Sequence, residues 1–466
     1  MSDNFKKAYE FFVSKTGKEI SQEEFKELLL KTLNRVSEYS LESVSGGAKG
    51  KNITSALLIA LNIMLPSVAA EDSAFHGLSA YNEYIESPST YVQKDSVVKY
   101  FTEAKISNVQ EKVFKITNEY FQKYSNNCPH ICLLREISSL RYLDNQGQPT
   151  KIEKILDEAV KENDLPLQSF KLNEIRDIKQ RYRSNPDIHP IYIFEVGGNV
   201  LNLHKTAMDE AIVQVASQYN SLESVNTDFS PVVNWFWDKT QGPMACLQAL
   251  AATKHRESAA IQGKLPDIIK DLLDDCIVTS KKLGGLIKSN VKITEKYPNL
   301  YKNGYFRPSV IEKENLSDLR KLSAHIKKNI GKLGFNSQWV KCEGSSKKQL
   351  QVFNAAPSFQ GDHSWLRWDD KDDPRVVIYK EICENLVVEQ YRSIAQVAAI
   401  KSCESGRQEE LHIYQVGQGA FYNPPKIMSS VLKVIKDELE GFNVKVYLHS
   451  GRGGNSKDWK SIMMEI

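Results

Sequence analysis

The run "ELHIYQVGQGAFYNPPKIMSSVLKVIKDELEGFNVKVYLHS", residues 410–450, constrains the fold more than any other part of the chain. The β-branched and aromatic residues of "ELHIYQV" predict a strand, and "NVKVYLHS" predicts another. Between them "KIMSSVLKVIKDEL" spaces its apolar residues at three and four, as a helix does. Strand, helix and strand in succession imply a right-handed crossover and parallel pairing. Parallel strands need cover on both faces, so this end of the chain belongs to an α/β layered domain.

Alternation of the same kind extends the domain over about residues 155–466. "HPIYIFEVGG" (189–198) predicts a strand ended by glycines, and the spacing in "TAMDEAIVQVASQY" (206–219) predicts a helix after it. A further helix is expected in "DKTQGPMACLQALAATK" (238–254), with Thr240 as candidate cap and Pro243 early, where its missing N–H costs least. Residues 1–150 read as a mostly helical N-terminal region. "SQEEFKELLLKTLNRVSEY" opens on a Ser21/Glu24 capping box, and "VVKYFTEAKISNVQEKVFKITNEYFQKY" has helical spacing throughout. The polar segment "DNQGQPT" (144–150) is the candidate boundary, with "EKILDEAVKEND" as a helix beyond it.

Composition narrows the class. With 61 basic and 58 acidic side chains in 466 residues, the net charge of +3 gives no argument for a nucleic-acid partner. Seven scattered cysteines do not form the dense framework of a disulfide-stapled secreted domain. "MSDNFKKAYEFF" lacks the basic and apolar regions of an export signal, so a cytoplasmic setting is expected, and delivery into another cell would need a different route. The apolar run Ile53–Ala70 is 18 residues long and holds Asn62 and Pro66, which reads as a buried helix, with membrane contact the alternative.

Two motifs fall short of their chemistry. In "SGGAKGKN" (45–52) Gly46 and Gly50 enclose three residues where a phosphate loop needs four, and Asn52 stands where a hydroxyl should meet magnesium. "CPHIC" places Cys128, His130 and Cys132 at alternate positions, unlike zinc pairs, so no metal is expected. Paired glutamates in "RQEEL" (407–411) read as a solvated approach to a strand.

The turn Gly417-Gln418-Gly419 differs through its position between a strand and a helix expected to begin near Pro424. Glycines let backbone N–H groups approach a ligand, and the helix N-terminus adds a positive dipole end, which together make a diphosphate cradle; a tight connection is the plain alternative. Gly197, Gly198 and Asn199 form a second turn of this type, and two such turns at C-terminal strand ends could line one crevice. Upstream, "NSLESVNTDFSPVVNWFWDKTQGP" sets Asp228 and Asp238 around Trp235, Phe236 and Trp237. Rings beside carboxylates suit a nucleoside or sugar. Equally, Asp238 could cap the following helix and Asp228 sit in a surface turn.

These residues also carry a resemblance. "GQGAFYNP" followed by "VKVYLHS" resembles the phosphate-loop region of macrodomains, especially the poly(ADP-ribose) glycohydrolase type. With "ASQYNSLES", "DKTQGPMAC", "KNGYFRP" and "QVFNAAPSF" in collinear order over about 190–450, the chain is similar to a macrodomain-like family that includes a Legionella effector removing ADP-ribose from arginine on ubiquitin. The resemblance implies a three-layer α/β/α macrodomain-like fold. It implies a hydrolase of the glycosidase type that takes mono-ADP-ribose from a protein side chain, arginine first, with ubiquitin as one carrier and ADP-ribose as product.

Carried over by position, Asn220, Asp228 and Asp238 would face the scissile linkage as the catalytic group. Gly417, Gln418, Gly419, Ala420, Phe421 and Asn423 would hold the diphosphate and distal ribose, with Gly197, Gly198, Asn199, Thr240, Gln241 and Gly242 completing the substrate site. Neither cofactor nor metal is implied. Gln418 and Tyr422 stand where the family pattern has glycine. The Gly-rich stretch with Gln-Glu-Glu of true poly(ADP-ribose) glycohydrolases is absent, because Gln408-Glu409-Glu410 precedes the wrong strand. The competing class is a non-catalytic reader of ADP-ribose or a related nucleotide.

Overall fold

The computed structural model describes residues 94–108, 110–112, 114–115, 118, 167–196, 206–224, 228, 241–282, 287–342, 345–450 and 458–465. The chain divides into two units, residues 1–89 and 90–466, and every described residue belongs to the second. Ser21, Glu24, the motifs at 45–52 and 128–132, the Ile53–Ala70 run and the boundary expected at 144–150 lie outside the described residues. No described helix is long and apolar enough to cross a membrane.

The core is a seven-stranded sheet. In chain order its strands are β1 (Leu167–Lys171), β2 (Ile191–Val196), β3 (Ile212–Ser217), β8 (Gly334–Lys341), β9 (Lys348–Ala355), β10 (Glu409–Tyr414) and β11 (Val444–Ser450). Two small hairpins lie between them, β4 (Ile277–Lys282) with β5 (Ile287–Lys292) and β6 (Tyr301–Lys302) with β7 (Tyr305–Phe306). The spatial order is β1-β8-β9-β3-β10-β11-β2, parallel from β9 to β2, with β8 antiparallel to both of its neighbours. The crossover predicted for 410–450 is present, since β10 pairs parallel with β11, His412 opposite Tyr447.

Among the helices, α1 (Lys94–Thr102) and α2 (Leu172–Lys179) precede α3 (Gln241–Gln248) and α4 (Leu250–Ile261). After these come α5 (Lys270–Asp274), α6 (Ile293–Lys296), α7 (Leu316–Asn329), α8 (Pro374–Cys383), α9 (Glu389–Ser405), α10 (Ile427–Leu439) and α11 (Trp459–Glu465).

Three expectations fail here. The helix predicted over 206–219 is instead β3, at the centre of the sheet. A central parallel strand is buried on both faces and so reads as a continuous apolar run, which spacing alone cannot separate from a helix. Secondly, "RQEEL" is no solvated approach: Glu409 and Glu410 are the first residues of β10. Glu409 is fully buried between Lys401 at 2.7 Å and Arg407 at 2.9 Å, and Glu410 turns to the opposite face. Thirdly, the long helix predicted from Val97 stops at Thr102. Helical backbone resumes at 108 after Ser107 Oγ accepts the Gln110 N–H at 3.0 Å, a serine cap that starts a new helix.

The two faces of the sheet differ in chemistry. Alternation turns Ile212, Leu350, Val352, Leu411, Ile413, Val444, Val446 and Leu448 to one side, where all are fully buried. Helices α9 and α10 pack over them, and Val97 and Phe101 of α1 join Phe170 and Phe335 at the β1 end. The other side presents Asn336, Gln338, Gln349, Gln351, His412 and His449, all at least 97% buried, with α3 packed on β3 and α4 on β8. Amides are tolerated there because the helices answer them: Gln351 Nε2 donates to Ala245 O at 3.2 Å and Gln338 Nε2 to Ala252 O at 3.3 Å. The result is a three-layer α/β/α domain.

Truncating Leu448, fully buried on the apolar face, is expected to cost about 2–5 kcal/mol through lost contacts and the cavity left behind. Equilibrium urea unfolding of Leu448→Ala measures it.

Candidate functional site

The C-terminal ends of β3, β9 and β10 lie side by side, and the turns that follow them make the candidate site. After β10, Gly417 has φ +84°, and a Cβ there would lie 2.8 Å from the Ala356 Cβ and 2.9 Å from Asn423 Nδ2. Glycine is required at this position by both conformation and space. Asn423 ties the turn shut: its N–H donates to Gly417 O at 2.9 Å and its Nδ2 to Pro357 O at 2.8 Å, beyond β9. Phe359 N donates to Phe421 O at 3.0 Å, and Trp368 Nε1 to Tyr422 O at 3.0 Å.

Two residues standing where the family pattern has glycine behave differently. Tyr422 keeps the glycine-type backbone at φ +51°. Gln418 turns inward, 2% exposed, with Nε2 donating to Pro424 O at 3.3 Å. Only Gly419 and Ala420 are exposed at the tip, and an added Cβ on Gly419 would meet nothing within 4 Å. The helix that follows begins at Ile427, three residues beyond the expected Pro424.

After β3, Ser221 is another non-glycine residue with positive φ, +57°. Its strain is held from three sides. Ser221 N donates to Gln218 O at 2.9 Å, Asn336 Nδ2 donates to its Oγ at 2.8 Å, and Arg256 Nε donates to its carbonyl at 3.0 Å. Arg256 is wholly buried on α4, over the Phe353 ring at 4.4 Å, with Nη1 on Gln338 Oε1 at 2.6 Å and Nη2 on Cys246 Sγ at 3.0 Å. Asn220 beside it is buried, its Oδ1 accepting Leu222 N at 3.2 Å and its Nδ2 donating to Asn303 Oδ1 at 3.1 Å.

Gln241 and Gly242 also reach this end of β3. Gln241 Oε1 accepts Ala216 N at 2.5 Å and its Nε2 donates to Gln214 O at 3.0 Å, while Gly242 lies so close that a Cβ would fall 2.1 Å from Ala216 O. Both therefore join α3 to the strand. Asp228 is exposed, with Lys302 Nζ at 2.8 Å from its Oδ1. Gly197, Gly198, Asn199, Asp238 and Thr240 lie outside the described residues, as does the Trp235–Trp237 cluster. β2, which leads to the second glycine turn, is separated from β10 by β11.

Sequence reading took "KNGYFRP" only as part of the resemblance and missed the hairpin in it that joins these turns. Asn303 and Gly304 form the two-residue loop of the β6–β7 hairpin with φ +45° and +79°, the type I′ geometry for which Asn-Gly is the strongest short signal. Among the described residues four non-glycines have positive φ, and three of them, Ser221, Asn303 and Tyr422, surround this site. Such strain persists only where the surroundings over-determine it, and it clusters at functional sites.

A buried polar array lies beneath, on β10 and β11. His412 Nδ1 and His449 Nε2 are 3.1 Å apart, and the Tyr414 ring stacks on His449 at 4.6 Å. Glu195 Oε2 is 3.0 Å from His449 Nδ1, without hydrogen-bond alignment, and Glu410 Oε2 is 3.6 Å from His412 Nε2. Burial first, and then His412, push the His449 imidazole down to about 3, while the His412 imidazole is the main force holding Glu410 down to about 2. Among the described residues no group of three or more His, Cys, Asp or Glu could hold a metal ion.

The sequence matches no protein-family model and no curated protein. By structure it is similar to the crystal structure of the Trypanosoma brucei macrodomain in crystal form 1, at 8% identity and a TM-score of 0.26, over 81% of this chain and 95% of that one. The same macrodomain in complex with ADP matches at 10% identity and a TM-score of 0.25, over 80% and 97%. Likeness at this level carries no argument about ligand or chemistry, and the α/β/α architecture rests on the strand order above.

Two outcomes follow for stability. An unfolded histidine titrates near 6.5, so below that pH the unfolded chain takes a proton that folded His449 refuses. Stability is expected to fall as pH drops below about 6.5, and further below about 4.5 as unfolded Glu410 protonates ahead of the folded one. Urea midpoints at pH 7.5, 6, 5 and 4 test this, with His449→Gln reducing the upper part of the slope. Gly417→Ala is expected to cost about 1–3 kcal/mol through a strained backbone and a clash, whereas Gly419→Ala leaves the midpoint within about 0.5 kcal/mol.

Proposed function

We propose that the chain binds ADP-ribose at the C-terminal ends of β3, β9 and β10 and hydrolyses the link between mono-ADP-ribose and a protein side chain. The observation that carries the reading is the tip of the turn after β10. Gly419 and Ala420 are exposed, Gly419 faces open space, and the turn runs into the N-terminus of α10. Backbone N–H groups and a helix dipole at such a tip suit a diphosphate. The tilted rings of Tyr305 and Phe421, 5.5 Å apart, border it and suit a ribose or base face.

In this reading the anomeric carbon passes through an oxocarbenium-like centre. Water attacks it, the bond to the side-chain nitrogen breaks, and that nitrogen leaves with a proton. Asp238 and Asp228 divide the tasks of taking the proton from water and holding the ribose hydroxyls. Arginine is the side chain proposed, and ubiquitin one carrier, through resemblance alone.

A non-catalytic reader is the second reading. It is favoured by Asp228, which is exposed and paired with Lys302, outside the buried part of the turns.

Incubation with arginine-, serine- and glutamate-linked mono-ADP-ribosylated proteins is expected to release free ADP-ribose from the arginine-linked one. Asp228→Ala and Asp238→Ala should abolish release while calorimetric ADP-ribose binding persists. Binding without release by the intact chain would establish the reader instead. Gly419→Val should weaken ADP-ribose binding by about tenfold or more, as crowding in a backbone cradle does, with an unchanged urea midpoint.

A further inference from the structure

We propose that the β6–β7 hairpin, residues 301–306, is a clamp that sets the geometry of the strand-end turns, with Asn303 and Lys302 as positioning residues for Asn220 and Asp228. The hairpin touches each turn that the site is built from. Gly304 O accepts Tyr219 N at 3.0 Å and Asn303 Oδ1 accepts Asn220 Nδ2 at 3.1 Å, both in the turn after β3. Phe306 O accepts Ser358 N at 2.8 Å, beyond β9. The Tyr305 hydroxyl donates to Ser224 O at 2.9 Å, while its ring meets Phe421 beyond β10. Lys302 reaches Asp228.

Fit at the loop is close. A Cβ on Gly304 would fall 2.4 Å from Asn220 Oδ1 and 2.8 Å from the Gln218 Cβ, so only glycine lets the hairpin approach. The hairpin's own loop is strained, and backbone strain of this kind survives only where the neighbours hold it. Asn303 uses one end of its amide on Asn220, and its Nδ2 is buried without a partner. Aspartate, which keeps Oδ1 and tolerates positive φ, should therefore replace it.

Lys302 and Asp228 are 54% and 73% exposed, an ion pair that adds almost nothing to stability. Its use is local: it orients the Asp228 carboxylate and offsets its charge beside a ligand that carries a diphosphate. This part of the proposal rests on the ADP-ribose reading; the clamp itself does not.

Hydrogen exchange on the full chain tests the clamp without any ligand. Asn303→Ala is expected to speed exchange of the amides of Tyr219, Ser221 and Leu222 by about tenfold or more, with β10 and β11 unchanged and Asn303→Asp close to wild type. Unchanged exchange in Asn303→Ala, a uniform rise over the whole sheet, or an Asn303→Asp variant as fast as Asn303→Ala would overturn it. For Lys302, kinetics of ADP-ribose release decide. Lys302→Gln should lower kcat by about tenfold with KM and urea midpoint little changed, and Lys302→Arg should restore it. Wild-type kcat in Lys302→Gln refutes its role. If the intact chain neither binds nor releases ADP-ribose, the functional reading and the Lys302 role fall together, and the clamp stands or falls on exchange alone.

Discussion

A sheet buried on both faces leaves its polar side chains no water to turn to, and this chain places amides, imidazoles and a guanidinium on one of those faces. Each has to be answered by protein. Arg256 shows how the demand is met. Wholly buried, it spends its donors on Ser221 O, Gln338, Cys246 and Thr253 and lays its plane over Phe353. A helix, strand β8 and a strained turn are thereby joined through one side chain. Moving any of the three leaves a buried charge short of partners, which is far costlier than losing an ordinary contact.

That demand is why the turns after β3, β9 and β10 hold unusual shapes. Strain at Ser221 is supported by Arg256 and Asn336 from below and by the Gly304 loop alongside, through Tyr219 and Asn220. Strain at Tyr422 is supported by Trp368 and by the neighbouring Asn423, which bonds across to Pro357. The open tip at Gly419 is the exception: around it the structure makes no packing demand. A rigid frame with an unfilled glycine tip matches a backbone-built binding site, where affinity comes from N–H groups already in place.

Much of this was legible in the sequence, for identifiable reasons. The 410–450 crossover announced itself because β10 and β11 carry β-branched and aromatic residues and α10 keeps a helical stripe. β3 did not. Ile212 to Ser217 is buried on both sides, so its apolar residues lose the period-two pattern that marks a half-exposed strand. Glu409 was misread for a related reason: a glutamate buried to 0% exposure survives through Lys401, Arg407 and the Ser405 hydroxyl, a pairing made in space and invisible in local pattern. Asn220 and Gln241 were picked by resemblance, and the structure brings both to the end of β3, where they act on neighbouring backbone. The hairpin carried a readable signal, Asn-Gly between paired aromatics, that a search for ligand chemistry passes over because the dipeptide itself holds no reactive group.

The position of Asp228 bears on how an enzyme of this architecture would have to work. A carboxylate meant to act as a base in a dry, preorganised site is ordinarily buried, and burial raises its pKa toward the working pH. Asp228 is 73% exposed, and it is held by a lysine from the hairpin. An exposed carboxylate beside a cation suits hydroxyl recognition and charge stabilisation better than proton abstraction in a dry site. Within the hydrolase reading Asp228 therefore orients the ribose, and taking the proton from water is the task proposed for Asp238. The Lys302 ion pair is what gives Asp228 surroundings suited to the first of these tasks.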